Sequence, residues 1–542
     1  MDIKSCIFAG NIAKMKLDQE IKRRRTFAII AHPDAGKTTL TEKLLLFGGA
    51  IQEAGAVKSN KITKGATSDF MEIERQRGIS VATSVLAYEY KGIKINILDT
   101  PGHKDFAEDT YRTLTAVDSV IVVIDVAKGV EEQTEKLVEV CRMRKIPIIV
   151  FINKLDREGR DAFDLYDEIE QKLHLKITPL SHPIGMGYDF KGIYNIWEKN
   201  VNLFTGDPRK DIEDTIEIND IDSPELDELV GKQAANTLRD ELELSLGVYP
   251  EFDKDSYLAG ELQPVFFGSA LNNFGVRELL DCFIDIAPEP QSKESDTRLV
   301  KPNEKEFSGF VFKIHANMDP KHRDRLAFVK IVSGTFERNK PYLHVRQDKK
   351  IKFSSPNAFF AEKKEVVDIS FAGDIVGLHD TGNFIIGDTL TEGEVMNYKG
   401  IPNFSPEFFK YINNADPMKS KQLYKGIEQL MDEGVAQLFT LDFNGRKVIG
   451  TVGALQFDVI QYRLEHEYGA KCSYENINIH KACWVEVADK KSEEYKDFAR
   501  VKARYLAKDK HGREVFLADS AFTLQMTQQN YPNVKLHFVS EF

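Results

Sequence analysis

Short apolar runs alternate with stretches of helical periodicity between about residues 27 and 290. The runs cover residues 27–30, 93–98, 119–124, 147–152 and 264–267. All but the second, in which apolar and polar residues alternate, are nearly unbroken, and such runs separated by helices are typical of a mainly parallel sheet covered on both faces. In such sheets ligands bind outside the carboxyl ends of the strands. We therefore expect an α/β domain over residues 1–290 with a binding site at that edge.

The stretch from about 160 to 262 is longer than a minimal domain of this kind needs. It contains Trp197, and its pattern predicts an acidic amphipathic helix over residues 225–244. A surface for a partner and a solvated structural insertion both fit, and the sequence does not decide between them.

The pattern beyond residue 290 predicts two further domains. A charged, proline-containing stretch at 287–297 predicts a linker. The β-rich runs at 310–314, 326–332 and 375–378, separated by Gly-containing turns, favour a small β-barrel over residues 305–395. A ferredoxin-like α+β domain is then expected over residues 396–542, because the pattern predicts helices at 419–438 and 454–468 and strands at 447–452 and 471–474.

Composition changes this picture in three ways. A chain of 542 residues is too long for one hydrophobic core, which supports several domains. A net charge of −12 argues against affinity for nucleic acid through bulk charge, although a local basic face remains open. The five cysteines are scattered without a Cys-x-x-Cys pair, which indicates reduced thiols in the cytosol.

The chain shows no pattern of a membrane or secreted protein. Its most apolar stretch, residues 120–124, is far too short to span a bilayer. The N-terminus lacks an apolar signal core and runs into Lys22, Arg23, Arg24 and Arg25. We interpret these four residues as a solvated helix end in preference to a nucleic-acid contact, and we expect a cytoplasmic protein.

An eight-residue segment before the helical stretch 39–47 has the pattern of a phosphate-binding loop. It consists of Ala31, His32, Pro33, Asp34, Ala35, Gly36, Lys37 and Thr38, and Thr39 follows it. In such a loop, backbone N–H groups at a helix N-terminus cradle the phosphates, the Lys reaches the outer phosphates, and the Thr hydroxyl binds Mg²⁺. Ala31 stands where the usual first Gly would be, so the segment taken alone also fits an ordinary strand-to-helix turn.

A second motif follows the run 93–98. It consists of Asp99, Thr100, Pro101, Gly102 and His103. An Asp in this place can hold Mg²⁺ through water, and the Gly102 N–H can bond a γ-phosphate oxygen, so the loop can sense the loss of that phosphate. A Pro-Gly turn with a structural Asp is the alternative. The upstream Lys-Thr loop favours the functional interpretation.

A third and a fourth motif follow the last two runs, 147–152 and 264–267. They consist of Asn153, Lys154, Leu155 and Asp156, and of Ser269, Ala270 and Leu271. The Asp156 carboxylate can accept both N1–H and the exocyclic N–H of guanine, a pattern that adenine does not offer, so it selects GTP over ATP. Lys154 would lie along the base, Asn153 would tie its loop to the phosphate loop, and the fourth motif would offer N–H groups to the guanine carbonyl. Because all motifs occur in order at strand ends, we expect a guanine nucleotide site with GTP as substrate and GDP as product.

Residues 75–80 lie in a polar stretch with little periodicity. Ser80 can supply a second hydroxyl to Mg²⁺ when GTP is bound, which would make this segment a switch that is ordered by the γ-phosphate and released on hydrolysis. Taken by itself, Ser80 also fits a plain loop serine.

The first three motifs, together with the Arg-Gly-Ile-Ser segment at residues 77–80, resemble those of the translational GTPases, in which Ala is normal at the first position of the phosphate loop. From the residues alone, His103 is either catalytic or merely a helix cap. The resemblance implies that His103 positions the attacking water, and that hydrolysis is slow until large-subunit RNA of the ribosome moves it into place. A histidine that positions the water is sufficient for catalysis, because phosphoryl transfer depends mainly on the placement of the reacting groups and on charge stabilisation.

Several segments are similar to the release-factor branch of that family, as is Ser80, where elongation factors usually carry Thr. The segments are 24–30, 108–118, 317–325 and 400–407. The likeness extends from about residue 23 to the C-terminus and does not include residues 1–20. Elongation factor G, the nearest relative by motif, continues with further domains, which this chain is expected to be too short to carry.

The resemblance implies a GTPase of translation termination. Its partners would be the ribosome, including large-subunit RNA, and the stop-codon-reading release factors, which its GTP form would drive off after peptide release. Hydrolysis would then let it leave, and we expect a monomer off the ribosome. The basic loop at 321–325 fits both a solvated hairpin turn and a ribosomal RNA contact.

Overall fold

The computed structural model describes residues 16–51, 74, 80–203, 216–218, 220–316, 325–360, 363–401 and 405–538. It confirms the expected fold class. An α/β domain comes first, a curled antiparallel β domain follows, and an α+β domain ends the chain.

The first domain is built on a mainly parallel sheet. Its strands are β1 Arg24–Ala31, β2 Ser84–Tyr90, β3 Ile93–Asp99, β4 Ser119–Asp125, β5 Ile148–Asn153, β6 Ile177–Pro179 and β11 Gln263–Phe267. The described order is β2-β3-β1-β4-β5-β11-β6, and β2 alone among these runs antiparallel to its neighbour. Ala28 and Ile30 pack on one face while Phe27 and Ile29 pack on the other. Burial on both faces explains why these strands have nearly unbroken apolar sequences.

Helices cover both faces of this sheet. They are α1 Lys37–Phe47, α2 Ala107–Thr113, α3 Glu132–Met143, α4 Ala162–Leu173, α7 Lys254–Leu258 and α8 Val276–Ile286. Helix α1 begins at Lys37, near the end of the predicted phosphate loop, and a short 3₁₀ turn, Lys104–Phe106, precedes α2. Both therefore start at the carboxyl edge of the sheet.

The insertion forms a small antiparallel sheet and two helices. Its strands are β7 Ser181–Ile184, β8 Gly192–Asn195, β9 Asn200–Leu203 and β10 Ile216–Ile218, and its helices are α5 Pro224–Val230 and α6 Lys232–Val248. The prediction of one continuous helix over 225–244 is wrong. Gly231 interrupts it with φ 86° and ψ 143°, a conformation that glycine takes readily and that a helix does not contain.

The second domain is built of curled antiparallel strands that form one larger sheet and two separate two-stranded sheets. Its described strands are β12 Lys293–Glu294, β13 Leu299–Val300, β14 Ser308–Ala316, β15 Arg325–Ser333, β16 Thr335–Glu337, β17 Pro341–His344, β18 Lys349–Lys352, β19 Asn357–Phe360, β20 Lys363–Val366, β21 Ile369–Phe371, β22 Ile375–Asp380 and β23 Thr389–Thr391. Of the basic loop at 321–325, residues 321–324 lie outside the described part of the chain. The predicted linker at 287–297 is ordered and packed, since the Gln291 N–H donates to Asp118 at 3.0 Å and the Lys293 ammonium donates to the Thr115 carbonyl at 2.7 Å.

Buried charges join the first two domains. Asp374 of the second domain forms ion pairs with Arg24 and with Lys94, each at 2.9 Å, and Lys330 pairs with Asp118 at 3.0 Å. The interpretation of residues 22–25 as a solvated helix end is wrong for Arg24 and Arg25. Both are buried at the start of β1, and Arg24 also lies over the Phe371 ring.

Asp374→Asn is expected to lower the free energy of unfolding by about 3 kcal/mol, because it leaves Arg24 and Lys94 without their shared buried counter-charge. Burial alone would raise the pKa of Asp374, but Lys94 and Arg24 lower that pKa to about 2. The folded pKa is thus below the unfolded one, so this stabilisation is complete above about pH 4 and is lost as the pH falls toward 2. Urea denaturation at pH 7 and at pH 3 measures both effects.

Asp368→Asn is the matched control, because Asp368 pairs with Arg338 in the same domain but is 80% exposed. Its expected change is within about 0.5 kcal/mol. An Asp374→Asn variant as stable as the wild type at pH 7 would contradict the assignment of Asp374 as the stabilising counter-charge of Arg24 and Lys94.

The C-terminal domain contains two units of the same βαββαβ connectivity. The first consists of β24 Phe408–Asn414, α9 Ser420–Asp432, β25 Gln437–Leu441, β26 Lys447–Thr451, α10 Leu455–Tyr468 and β27 Cys472–Asn476. The second consists of β28 Lys481–Glu486, α11 Glu493–Val501, β29 Leu506–Asp509, β30 Glu514–Ala518, α12 Ala521–Asn530 and β31 Lys535–His537. The order β27-β24-β26-β25-β29-β30-β28-β31 shows two ferredoxin-like sheets joined edge to edge through β25 and β29. The sequence predicted only the first of them.

The helix predicted over 419–438 ends earlier than expected. It stops at Asp432, and Leu438 belongs to the following strand. Gly434, with φ 72°, turns the chain between the two elements. In the described part of the chain, no helix has the length and apolar character required to cross a bilayer.

Candidate functional site

The four predicted motifs lie together at the carboxyl edge of the first sheet. Strands β1, β3, β5 and β11 run parallel in one sheet, and each motif follows one of them directly. Parallel strands end at the same edge, so the sheet itself brings these distant segments together.

The phosphate loop has the conformation of an anion cradle. Asp34 has φ 68° and Gly36 has φ 97°, and no side chain caps the helix that starts at Lys37. A Cβ on Gly36 would lie 2.3 Å from the Asn153 amide nitrogen, so only glycine fits. Left-handed residues next to a helix N-terminus direct backbone N–H groups toward a bound anion. Thr38 and Thr39 follow in the first helical turn.

Lys37 and Asp99 meet at the centre of this edge. The Lys37 ammonium is paired with Asp99 Oδ1, and both side chains are buried. Asp99 Oδ2 is also buried and has no hydrogen-bond partner among the described residues. A buried carboxylate oxygen beside the Lys37 loop fits the predicted role of holding Mg²⁺ through water.

The loop after Asp99 packs directly against the phosphate loop. The Thr100 hydroxyl donates to the Ile29 carbonyl at 2.8 Å, and the Thr110 hydroxyl donates to the Pro101 carbonyl at 3.2 Å. A Cβ on Gly102 would lie 3.1 Å from the Ala31 carbonyl oxygen, tighter than usual packing. A loop in this contact can respond to what the phosphate loop binds.

His103 caps the 3₁₀ turn that follows it. Its Nδ1 accepts from the Asp105 N–H at 3.2 Å and lies 3.4 Å from Asp105 Oδ1. The capping role that the sequence left open is therefore present in this structure. The ring is partly exposed, at 29% of its side-chain surface, so it is accessible from the solvent side of the loop.

Asn153 joins two of the loops. Its Nδ2 donates to the Ala35 carbonyl and its Oδ1 accepts from the Ala270 N–H, both at 2.9 Å. Lys154 donates to the Asp34 carbonyl and pairs with Asp125 at 2.7 Å. Although burial raises the pKa of Asp125, hydrogen bonds from Lys154 and the Ala127 N–H offset this and leave the pKa below its usual value. Asp125 therefore remains a carboxylate that holds Lys154 in place.

The base-reading candidate Asp156 is held by the fourth motif. The Ser269 hydroxyl donates to Asp156 Oδ1 at 2.5 Å, and the Leu155 N–H donates to the Gly268 carbonyl at 3.2 Å. The Ser269 N–H donates to the Phe274 carbonyl, and the Ala270 N–H donates to Asn153 Oδ1. Any donation from these two N–H groups to a guanine carbonyl would compete with those bonds. Leu271, the third residue of the motif, is exposed.

Asn153→Ala is expected to weaken GDP binding by about ten- to a hundredfold, because it leaves the buried Ala35 carbonyl and Ala270 N–H without partners and frees both loops. Titration with a fluorescent GDP analogue measures the affinity. Asn96→Ala is the matched control, since Asn96 is a buried amide on β3 that bonds Thr26 and Gly373. If the two variants bind GDP equally well, Asn153 does not shape the site.

Ser80 begins a segment that reaches toward the other domains. Residues 75–79 lie outside the described part of the chain. The Val81 and Ala82 N–H groups donate to Glu74 at 2.8 and 3.1 Å, and Thr83 is held by Asp109. Val81 itself is buried against Phe106 and Val459.

Sequence reasoning missed three charged residues that shape this site. Asp125 positions Lys154, Glu131 lies 3.2 Å from His32 of the phosphate loop, and Asp105 contacts His103. Asp125 carried a usable signal, because it ends an unbroken apolar strand at the carboxyl edge. For Glu131 and Asp105 the sequence carried none, since their partners depend on how loops fold together.

Three family models match consecutive parts of the chain. Residues 22–289 match "Elongation factor Tu GTP binding domain", residues 306–393 match "Elongation factor G domain 2", and residues 398–528 match "Class II release factor RF3, C-terminal domain". The fold is also similar to a crystal structure of a protein from Thermus thermophilus, with a TM-score of 0.68 and 21% sequence identity over 85% of this chain and 69% of that one.

The first two matches, together with the loops at the sheet edge, define the class of this protein as a translational GTPase. The third match is to the C-terminal domain of a class II release factor, and the three matches together support a release factor 3 translational GTPase.

Proposed function

We propose that this release-factor GTPase acts on the ribosome after peptide release, where its GTP form promotes dissociation of the stop-codon-reading release factors. Hydrolysis of GTP then allows its own departure. The main support is that the release-factor domain contacts the segment just after His103. The Leu455 N–H donates to Asp105 at 2.7 Å, and Arg112 donates to the Gly434 carbonyl at 2.9 Å.

The arrangement at the sheet edge supports a separate role for each loop in binding the nucleotide. Lys37 and the N–H groups at the start of α1 would bind the phosphates, and Asp156 would read the base with Ser269 as its orienting donor. Thr38, Ser80 and, through water, Asp99 would hold Mg²⁺, which supplies positive charge against the phosphate oxygens when bound. His103 would position the attacking water.

Removal of another factor requires only a difference in affinity. If the GTP form binds a ribosome state that the stop-codon-reading factor cannot share, the equilibrium moves toward that state and the other factor leaves. Hydrolysis changes the loop beside the phosphates, so the protein no longer prefers that ribosome state. We propose that the protein works in the cytoplasm and is a monomer off the ribosome.

Phosphate release from GTP, measured with and without ribosomes, tests the proposal. We expect ribosomes to raise the turnover rate by at least about a hundredfold, the size of effect that a correctly placed catalytic side chain provides. Isolated large subunits test the proposed RNA contact. An unchanged rate with ribosomes would overturn the proposal and would point to a nucleotide-regulated switch without a ribosomal role.

A further inference from the structure

Asp105 contacts both His103 and the C-terminal domain. One carboxylate oxygen accepts from the Leu455 N–H at 2.7 Å, while the other lies 3.4 Å from His103 Nδ1. The Asp105 N–H donates to that same ring nitrogen at 3.2 Å. A single buried residue thus links the candidate catalytic side chain to the start of α10.

The segment that contains Gly453 packs closely against Asp105. A Cβ on Gly453 would lie 2.2 Å from Cβ and Cγ of Asp105 and 2.4 Å from its Cα. The C-terminal domain can therefore approach Asp105 only because residue 453 has no side chain. A close contact at this place makes the position of Asp105 sensitive to small movements of the domain.

The neighbours of Asp105 belong to the same junction. Phe106 packs against Val81, from the segment that follows Ser80, and against Val459 of α10. Asp109 holds Thr83 at 2.6 Å and is paired with Lys313 of the second domain at 2.9 Å. The predicted switch segment, the turn after His103 and both other domains meet here.

The cap restricts what the His103 ring can do. A neutral imidazole has one N–H donor and one acceptor nitrogen. In a neutral ring whose Nδ1 accepts from the Asp105 N–H, the N–H donor is Nε2. The capped ring can donate to a water but cannot accept from the attacking water. To accept from that water, His103 must leave its cap.

We propose that Asp105 is a positioning residue through which the docked C-terminal domain holds His103 in its cap, so that movement of this domain releases the ring. This inference rests on the proposed role of His103 in positioning water. Loss of the Asp105–Leu455 bond lowers the cost of uncapping and so raises the population of the competent arrangement.

The test is single-turnover hydrolysis of saturating GTP without ribosomes. Asp105→Ala is expected to raise this rate by about tenfold, the effect of removing one charge-assisted hydrogen bond from the restrained state, with unchanged GTP affinity. Gly453→Ala is expected to give the same increase, because its Cβ pushes the two segments apart while Asp105 remains. Asp105→Asn retains an acceptor for the Leu455 N–H and is expected to stay close to the slow wild-type rate.

Two further variants separate positioning from general loosening of the fold. In the double variant Asp105→Ala with His103→Ala, the increase should vanish, because it acts through the ring. Asp432→Asn weakens a different contact of the C-terminal domain, the pair between this carboxylate and Arg325 of the second domain at 2.6 Å, and should leave the unstimulated rate unchanged.

The proposal is overturned if Asp105→Ala and Gly453→Ala both hydrolyse GTP at the wild-type rate, or if the increase survives in the double variant. Ribosome stimulation of the wild type is measured in parallel. A wild type that ribosomes do not stimulate would defeat the proposed function, while the comparison of unstimulated rates would still decide the role of Asp105.

Discussion

His103→Ala is expected to bind GTP as the wild type does and to lose about 10²- to 10⁴-fold of its ribosome-stimulated hydrolysis, the range that a positioned acid–base side chain contributes. The phosphates and base would be held by other loops, so affinity should not change. The side chain that places the attacking water would be absent. Rapid-mixing measurement of phosphate release on ribosomes gives the rate, and nucleotide titration gives the affinity.

A second substitution separates catalysis from capping at this position. His103→Asn places an oxygen close to where Nδ1 accepts from the Asp105 N–H, so it can keep the cap. It should be as stable as the wild type and as slow on the ribosome as His103→Ala. If His103→Asn restored normal stimulated turnover, His103 would be a cap alone.

Asp156→Asn is expected to reverse the base preference of the site from guanine to xanthine. The carboxamide can no longer accept from both guanine N–H groups, but it can accept from N1–H of xanthine and donate to its C2 carbonyl. Sites that read a base through paired hydrogen bonds discriminate by about 10⁴-fold or more, so a loss of at least about 10²-fold in GTP affinity is expected. Competition of GTP and XTP for the bound fluorescent analogue measures the change.

Asp161→Asn is the matched control for that experiment. Asp161 is a nearby carboxylate that caps α4 by accepting from the Phe163 N–H at 2.8 Å, and an Asn caps equally well. Its preference for GTP should not change. An Asp156→Asn variant that prefers GTP to XTP as strongly as the wild type does would refute the base-reading role of Asp156.

The first domain was predictable because its signals are local. Phe27 and Ile29 pack on one face and Ala28 and Ile30 on the other, and this two-sided burial requires an unbroken apolar run that is visible in the sequence. The motif residues follow from the same strands, since a loop after a parallel strand can only lie at one edge. Their roles in binding stay predictions.

What the sequence did not show depends on contacts between distant segments. Arg24 looks like part of a basic helix end until Asp374, far along the chain, is placed beside it. Gly231 ends one helix and begins the next through its backbone conformation, which periodicity does not reveal. The second ferredoxin-like unit was missed because its strands are short and its helix α12 has a weak apolar pattern.

The junction around Asp105 is the clearest case of this kind. Nothing in the local sequence distinguishes Asp105 from any acidic residue in a helical turn, and Gly453 reads as an ordinary loop glycine. Only the approach of the two segments, with no space for a Cβ, shows that they are in contact. Tertiary packing of this sort is set by the whole fold and not by the residues beside it.

The most direct test of the proposed function follows a labelled stop-codon-reading release factor on ribosomes that have already released their peptide. We expect this protein with GTP, but not with GDP, to accelerate departure of the labelled factor. His103→Ala should also do so but should then remain bound to the ribosome. No acceleration by the wild type, with ribosome-stimulated hydrolysis intact, would contradict the proposed role and assign this GTPase to another step on the ribosome.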